Sequence, residues 1–362
     1  MTSPHGSIEL PAYVSPSLHP SVVAIPIGEH YAPYFVPRYV RDAGPMNPMA
    51  LLPATADPAS GGLAFLSVRV RLEKTGARRP LAVLQATHDQ DDREIAQEVG
   101  LAAARELNLR GRAPEHANLP SMYPDQVYPR HRWGMAIDLD ACVGCSACMV
   151  ACQAENNVAI VGKAQAAYGR QMHWIRVERW VEGDPSHPAN VFLPMLCQHC
   201  EVAPCEPVCP VFAAYRTDEG LNGQVYNRCV GTRYCGNNCP YHVRRFNWYQ
   251  WEWPAPLDVQ LNPDVTVRQL GVMEKCTMCL HRIIAGKDRA RDAGRAVRDG
   301  DILTACQQTC PTQAITFGDL KDSDSRVSKL ARSPRGYHVL EELGTRSSIT
   351  YLKKVTRGHE PA

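Results

Sequence analysis

Fifteen cysteines lie between Cys142 and Cys310, and none occurs elsewhere in the 362-residue chain. The first run, Cys142-Val-Gly-Cys145-Ser-Ala-Cys148-Met-Val-Ala-Cys152, has the spacing C-x2-C-x2-C-x3-C. In such a run a tight loop wraps three thiolates around one iron–sulfur cubane, and the fourth starts a helix that points toward a neighbouring cluster. The chemistry predicted is one-electron transfer, with no substrate bond made.

Three further groups vary the same template. They are Cys197, Cys200, Cys205 and Cys209 before Pro210; Cys229, Cys235 and Cys239 before Pro240; and Cys276 and Cys279, then Cys306 and Cys310 before Pro311. Four templates offer sixteen ligand positions, and the unfilled one is Thr232, directly after Cys229-Val-Gly231. A neutral hydroxyl is a poor iron ligand beside thiolates. The expected content is three 4Fe–4S clusters and one 3Fe–4S cluster, the last at Thr232; a four-iron cluster completed there by water or hydroxide is the alternative. Zinc is the main rival metal, because C-x2-C pairs also build four-cysteine zinc sites. Four cysteines spaced as in the first run would crowd one tetrahedral ion, and an odd count cannot all form internal disulfides.

These ligands need positioning elements. Met135-Ala-Ile-Asp-Leu139 reads as the strand before the first loop, and residues 173–182 as another, with His173 and Trp174 as packing residues. Residues 280–305 form a charged, helical insertion bearing Arg282, Lys287, Arg289, Arg291 and Arg295. Toward the N-terminus, Val22–Ile27 reads as a short buried strand. Leu66–Leu72 and Leu81–Leu84 read as the arms of a hairpin across Glu73-Lys-Thr-Gly76. Asp91 or Asp92 is expected to cap a helix through Leu107 that stops at Gly111. The predicted organisation is a β-rich docking domain over 1–115, a Pro-rich linker over 116–132, a cluster domain over 133–320 and a C-terminal tail over 321–362 packed on the cluster domain or a partner.

Several segments carry a family resemblance. Trp133 to Leu320 resembles the four-cluster electron-transfer subunit of the complex iron–sulfur molybdoenzyme superfamily, and within it the iron–sulfur domain of alternative complex III, a quinol:electron-acceptor oxidoreductase. The resembling residues include Cys197-Gln-His-Cys200, Tyr226-Asn-Arg-Cys229-Val-Gly-Thr-Arg-Tyr-Cys235, Asn238-Cys-Pro-Tyr-His-Val-Arg-Arg-Phe-Asn247, Gly271-Val-Met-Glu-Lys-Cys276, Ala305-Cys-Gln-Gln-Thr-Cys-Pro-Thr312 and Gly336–Arg346. The resemblance implies an α+β fold of two ferredoxin-like units that swap terminal ligands. It implies that Cys142, Cys145 and Cys148 share a cluster with Cys310; Cys276, Cys279 and Cys306 with Cys152; Cys197, Cys200 and Cys205 with Cys239; and Cys229 and Cys235 with Cys209 beside Thr232. Arg233 and Lys275 are the further residues expected against the clusters. Leu18–Gly28 and Gly44–Pro53 resemble the C-terminal end of a molybdopterin oxidoreductase large subunit. A segment this short cannot enclose a bis-pterin, and it has no phosphate-binding glycine loop, so no molybdopterin is expected in this chain.

The resemblance implies an integral-membrane quinol-binding partner, a cytochrome c-type haem subunit and a molybdopterin-oxidoreductase-like large subunit, in a quinol-oxidising respiratory complex; the alternative is an electron-transfer subunit of a molybdopterin-dependent reductase or dehydrogenase of a sulfur compound or nitrate. Positive charge favours the reduced cluster, so Arg228, Arg233, Arg244, Arg245 and His242 mark the Thr232 site as the high-potential end, where quinol electrons enter. The rings Phe246, Trp248, Tyr249, Trp251 and Trp253 suit a membrane-interface or partner contact, with plain core packing as the alternative. A net charge of +2 argues against a nucleic-acid partner. No apolar run reaches transmembrane length, and Met1–Leu10 lacks the basic and apolar regions of a signal peptide. The expected location is peripheral on the membrane, on the outer face after export with a partner, the cytoplasmic face being the alternative.

Overall fold

The computed structural model describes residues 1–15, 18–25, 47–64, 68–78, 81–110, 122–182, 188–250, 252–253 and 255–356. In chain order the elements are β1 (Glu98–Gly100), α1 (Leu101–Arg110), β2 (Trp133–Asp138), α2 (Ala147–Glu155), α3 (Gly162–Ala167), β3 (Ile175–Glu182), β4 (Ala189–Leu196), β5 (Ala214–Arg216), β6 (Asn222–Gln224), α4 (Tyr234–Asn237), β7 (Arg245–Phe246), β8 (Met273–Glu274), α5 (Leu280–Asp292), α6 (Ala305–Thr309), β9 (Ile315–Asp319), α7 (Arg326–Ala331), β10 (Gly336–Tyr337), β11 (Ile349–Leu352) and β12 (Lys354–Thr356).

A four-stranded sheet ordered β10-β11-β2-β9 forms the scaffold. β2 runs parallel to β11, with Met135 opposite Ile349, and antiparallel to β9, with Met135 opposite Phe317. Its first five residues are all buried, as expected of a strand covered on both faces. Trp133 stacks on Phe317 at 5.5 Å and on His131 at 4.7 Å. A side chain at Gly134 would strike Leu320 and the Ser348 carbonyl, so glycine is what lets β2, β9 and β11 close up. α2 packs on α6, and α7 packs on β9. The β3–β4 hairpin, eight residue pairs long, stands beside α2.

The expected strands at Met135 and at residues 173–182 are present, as β2 and β3, and the charged insertion opens with α5. The boundary at residue 320 is corrected. β11 is an interior strand, and Ile349, Tyr351 and Leu352 are completely buried, so the residues after 320 complete the cluster-domain sheet.

The N-terminal expectations are corrected more heavily. Among the described residues before 116, β1 is the one named strand; the other pairings are isolated bridges, Thr2 with Ser7 and Arg71, and Ala56 with Leu63. Leu66 lies outside the described residues, and the described part of the expected hairpin does not pair, because Arg71 bridges to Thr2 instead. Leu72 and Val83 are 62% and 57% exposed, so that alternation meets no core, and a lone hairpin is marginal. Residues 22–25 are irregular, and Ile27 lies outside the described residues. The helix begins at Leu101 rather than at Asp91. Asp91, Asp92 and Glu94 adopt left-handed backbone, and Glu98–Gly100 instead pairs in parallel with β12. Gly111 falls outside the described residues. The segment straps the open edge of β3. The Gln85 side chain bonds both the N–H and the carbonyl of Arg179, and the Val181 N–H donates to the His88 carbonyl.

Candidate iron–sulfur sites

The first loop turns on two left-handed residues, Gly144 (φ +68°) and Ser146 (φ +61°). A Cβ at Gly144 would sit 2.5 Å from the Phe192 ring. α2 then carries Cys148 and Cys152 one turn apart. Cys142, Cys145 and Cys148 gather with Cys310 from the far end of the cysteine-bearing segment. Burial pushes the Cys142 thiol up, with Cys310 and Cys145 as its like-charged neighbours. Burial pushes Cys148 up to about 12, with Cys306, Cys142, Cys145 and Cys310 adding to it. The Ala314 N–H donates to the Cys310 sulfur at 3.3 Å.

The next site is a small, partly enclosed cavity lined by Cys152, Cys276, Cys279 and Cys306. Cys152 thus leaves its sequence neighbours for the fourth group. Each sulfur has a donor. Asn156, buried one turn beyond Cys152, lies 3.6 Å from the Cys152 sulfur and 4.0 Å from that of Cys279. The Met278 N–H reaches Cys276 at 3.4 Å, and the Thr304 hydroxyl lies 3.3 Å from Cys306. Arg282 is tied by Glu155, whose carboxyl it holds down at about 2.

A second small cavity is lined by Cys197, Cys200, Cys205 and Cys239, with Asn222 and Arg244. Burial pushes Cys205 up to about 11, against the opposing pull of Arg244. Two cations are buried beside it, Lys275 at 0% and Arg244 at 6% exposure. Their closest hydrogen bonds go to neutral acceptors, while the Glu206 carboxyl and the thiols face them. Lys275 Nζ donates to the carbonyls of Asn222 and Cys276, and Arg244 to Gln224 Oε1 at 2.8 Å and Asn222 Oδ1 at 2.6 Å. Burying charge this way is costly unless an anion compensates. A cavity ringed by four thiolates that carry an iron–sulfur cluster supplies that anion, so the residues present fit the group.

The last site gathers Cys209, Cys229 and Cys235. Burial raises Cys235, and Cys229 and Cys209 are its thiol neighbours. The Ala213 N–H donates to Cys209 at 3.1 Å and the Met273 N–H to Cys229 at 3.4 Å. The loop here repeats the first one: Gly231 (φ +73°) and Arg233 (φ +65°) stand where Gly144 and Ser146 stand. A side chain at Gly231 would strike the Gly271 carbonyl. Thr232 therefore occupies the loop position that Cys145 fills in the first site, and both are exposed.

The four sites form a line. Cys148 neighbours Cys306, Cys276 neighbours Cys197, and Arg244 faces both Cys205 and Cys235. Among the described residues no three His, Cys, Asp or Glu side chains converge closely enough to hold a single metal ion.

Of the cations expected around Thr232, Arg244 lies between the last two sites. Arg228 donates to the Phe212 carbonyl and Arg245 to that of His173. Arg233 stacks over Phe246 and Trp248, at 5.3 and 4.8 Å, and Arg170 faces Trp248 at 4.8 Å from its ring centroid. These aromatic residues are engaged with arginines of the same chain, while Trp251 is outside the described residues. Sequence reading missed Asn156, Thr304 and Asn222. The signal for Asn156 is its place four residues after Cys152, on the same helical face.

Comparison with known proteins agrees with this geometry. Residues 189–255, which hold the Cys197 cavity and most of the three-thiol site, match the 4Fe-4S dicluster domain family. The chain is 46% identical over 228 residues to the menaquinone reductase iron-sulfur cluster-binding subunit of Nitratidesulfovibrio vulgaris, covering 62% of this chain and 89% of that protein. It is 32% identical over 249 residues to the Hdr-like menaquinol oxidoreductase iron-sulfur subunit 1 of Archaeoglobus fulgidus, 64% of this chain and 86% of that one. It is 34% identical over 226 residues to a subunit of the tetrathionate reductase of Salmonella typhimurium, 62% of this chain and 73% of that one. With the thiol sites and these relatives in agreement, the chain belongs to the iron–sulfur cluster-binding electron-transfer subunits of the molybdopterin oxidoreductase family.

Proposed function

We propose that this chain is the electron-transfer subunit of a quinone-linked membrane complex, holding three 4Fe–4S clusters and one 3Fe–4S cluster in the ligand sets given by its four thiol groups. Cys142, Cys145, Cys148 and Cys310 hold the first; Cys152, Cys276, Cys279 and Cys306 the second; Cys197, Cys200, Cys205 and Cys239 the third; Cys209, Cys229 and Cys235, beside Thr232, the three-iron cluster. The observation that carries this reading is the succession of four neighbouring thiol sites, two of them cavities lined by four thiols each. Clusters held there supply one-electron transfer between the two ends of the line. The protein's own part is to keep water out of the inner pair, to donate hydrogen bonds to the sulfurs and to set fixed charge beside them.

The relatives named for menaquinone, menaquinol and tetrathionate chemistry favour a subunit serving a molybdopterin-oxidoreductase-type partner over one specific to alternative complex III. The proposed partners are accordingly a large subunit of that type and an integral-membrane quinone-binding subunit. A cytochrome c-type subunit is not part of the proposal. No helix among the described residues is long and apolar enough to cross a membrane, so membrane association is assigned to a partner. The test is to purify the chain with its natural partners, analyse the large partner for molybdenum and pterin, and add menaquinol anaerobically. The expected result is reduction of the iron–sulfur paramagnetic signals within the intact complex. Clusters that menaquinol leaves oxidised, in a complex without a membrane partner, would overturn the proposal.

A further inference from the structure

Asn222 and Gln224 lie two residues apart on β6, so they present their side chains on one face. Both receive the Arg244 guanidinium, Asn222 Oδ1 at 2.6 Å and Gln224 Oε1 at 2.8 Å. Asn222 engages its other polar groups as well. Its N–H donates to His199 Nδ1 at 3.1 Å, its carbonyl accepts from Lys275, and its amide donates to Glu206 Oε1 at 2.6 Å. It lines the Cys197 cavity and is itself 2% exposed. The charge it fixes is shared. Arg244 faces Cys205, Cys197 and Cys239 of the cavity, and Cys235 of the three-thiol site.

We infer that Asn222 and Gln224 are positioning residues, whose function is to hold the Arg244 charge between the Cys197 cavity and the three-thiol site so that it raises the reduction potentials of both clusters together. The inference rests on the electron-transfer reading above. It follows from placement: a buried guanidinium held by two neutral acceptors keeps its full charge, and it has a cluster site on either side. A carboxylate in place of the Gln224 amide would neutralise that charge where it acts, whereas one at position 222 would also lose the bond to Glu206 and face its carboxyl.

The experiment is a potentiometric titration of the cluster-loaded protein, followed by paramagnetic resonance. Variants are Asn222→Asp, Gln224→Glu, Arg244→Gln and Arg244→Lys. The expected result is that Asn222→Asp, Gln224→Glu and Arg244→Gln each shift two of the four one-electron equilibria at least tenfold, a 59 mV fall. One of the two is the three-iron signal, and the other two clusters stay in place. Arg244→Lys, which keeps the charge, stays near wild type. Should Asn222→Asp fail to load, Gln224→Glu applies the same neutralisation from the other side of the guanidinium and decides the question. Unchanged midpoints in a loaded carboxylate variant would overturn the inference, as would an equal shift of all four, which marks general loosening. Either result leaves the electron-transfer reading standing, whereas a wild type without labile sulfide would refute that reading instead.

Discussion

Replacing Thr232 with cysteine supplies the sixteenth thiolate at a place already shaped for one. Gly231 and Arg233 have the backbone of Gly144 and Ser146, so the new sulfur enters the position that Cys145 holds in the first site. The expected product is a four-iron cluster in place of a three-iron one. The added thiolate is one unit of negative charge. At about 4 Å a unit charge is worth about 1 kcal/mol in water and about 4 kcal/mol at the effective dielectric of a protein surface. Taken alone, that charge would lower a one-electron potential by roughly 40 to 170 mV; the iron ion that enters with the thiolate is a cation and offsets it, so these figures bound the electrostatic fall from above. Thr232 is exposed, which places the electrostatic part toward the lower figure. The assay is paramagnetic resonance of the oxidised protein with an iron count. Wild type should give a three-iron signal and about fifteen iron atoms per chain; the variant should lose that signal and gain about one iron. A loaded Thr232→Cys protein that keeps the three-iron signal would refute the reasoning, as would a wild type that never shows one.

Three further outcomes are expected. Asn156→Leu removes the amide shared by the Cys152 and Cys279 sulfurs, so one four-iron midpoint should fall by an amount matching about 1 kcal/mol per lost hydrogen bond, measured by potentiometric titration. Gly144→Ala forces a methyl against Phe192 at positive φ; thermal denaturation should show a loss of about 1–3 kcal/mol, with the first site emptying before the inner pair. Glu155→Gln breaks the tie between α2 and Arg282. The Glu155 carboxyl is held at about 2 against an ordinary 4.5, so its contribution is complete above about pH 4.5 and is lost as pH falls toward 2. Denaturant unfolding should give a wild-type advantage of about 1 kcal/mol, modest because the pair is partly solvated, that narrows as pH falls below 4.5.

The grouping of the thiols was legible because it is written in local spacing: a loop and one helical turn fix where three or four sulfurs can point. Thr232 stood out for the same reason, as a gap in a repeated template. β2 and β3 were legible because their apolar runs sit beside those loops. What the spacing does not carry is tertiary. Ile349–Leu352 is too short a run to reveal that it enters the middle of a sheet. The hairpin expected across Glu73–Gly76 failed because alternation without a core to face has nothing to bury. Asp91 and Asp92 read as helix caps, yet the backbone beyond them was claimed by pairing with β12. Arg244 and Lys275 were expected near the clusters from their places in the motifs, but that they are buried cations shows only once β6 and β8 are packed.

Acid-labile sulfide, counted per chain beside iron and zinc in the protein purified without air, tests the central claim most directly. Four clusters predict on the order of sixteen sulfides per chain, with iron close to that number and little zinc. Sulfide near zero, with zinc filling the cysteine sites, would contradict it.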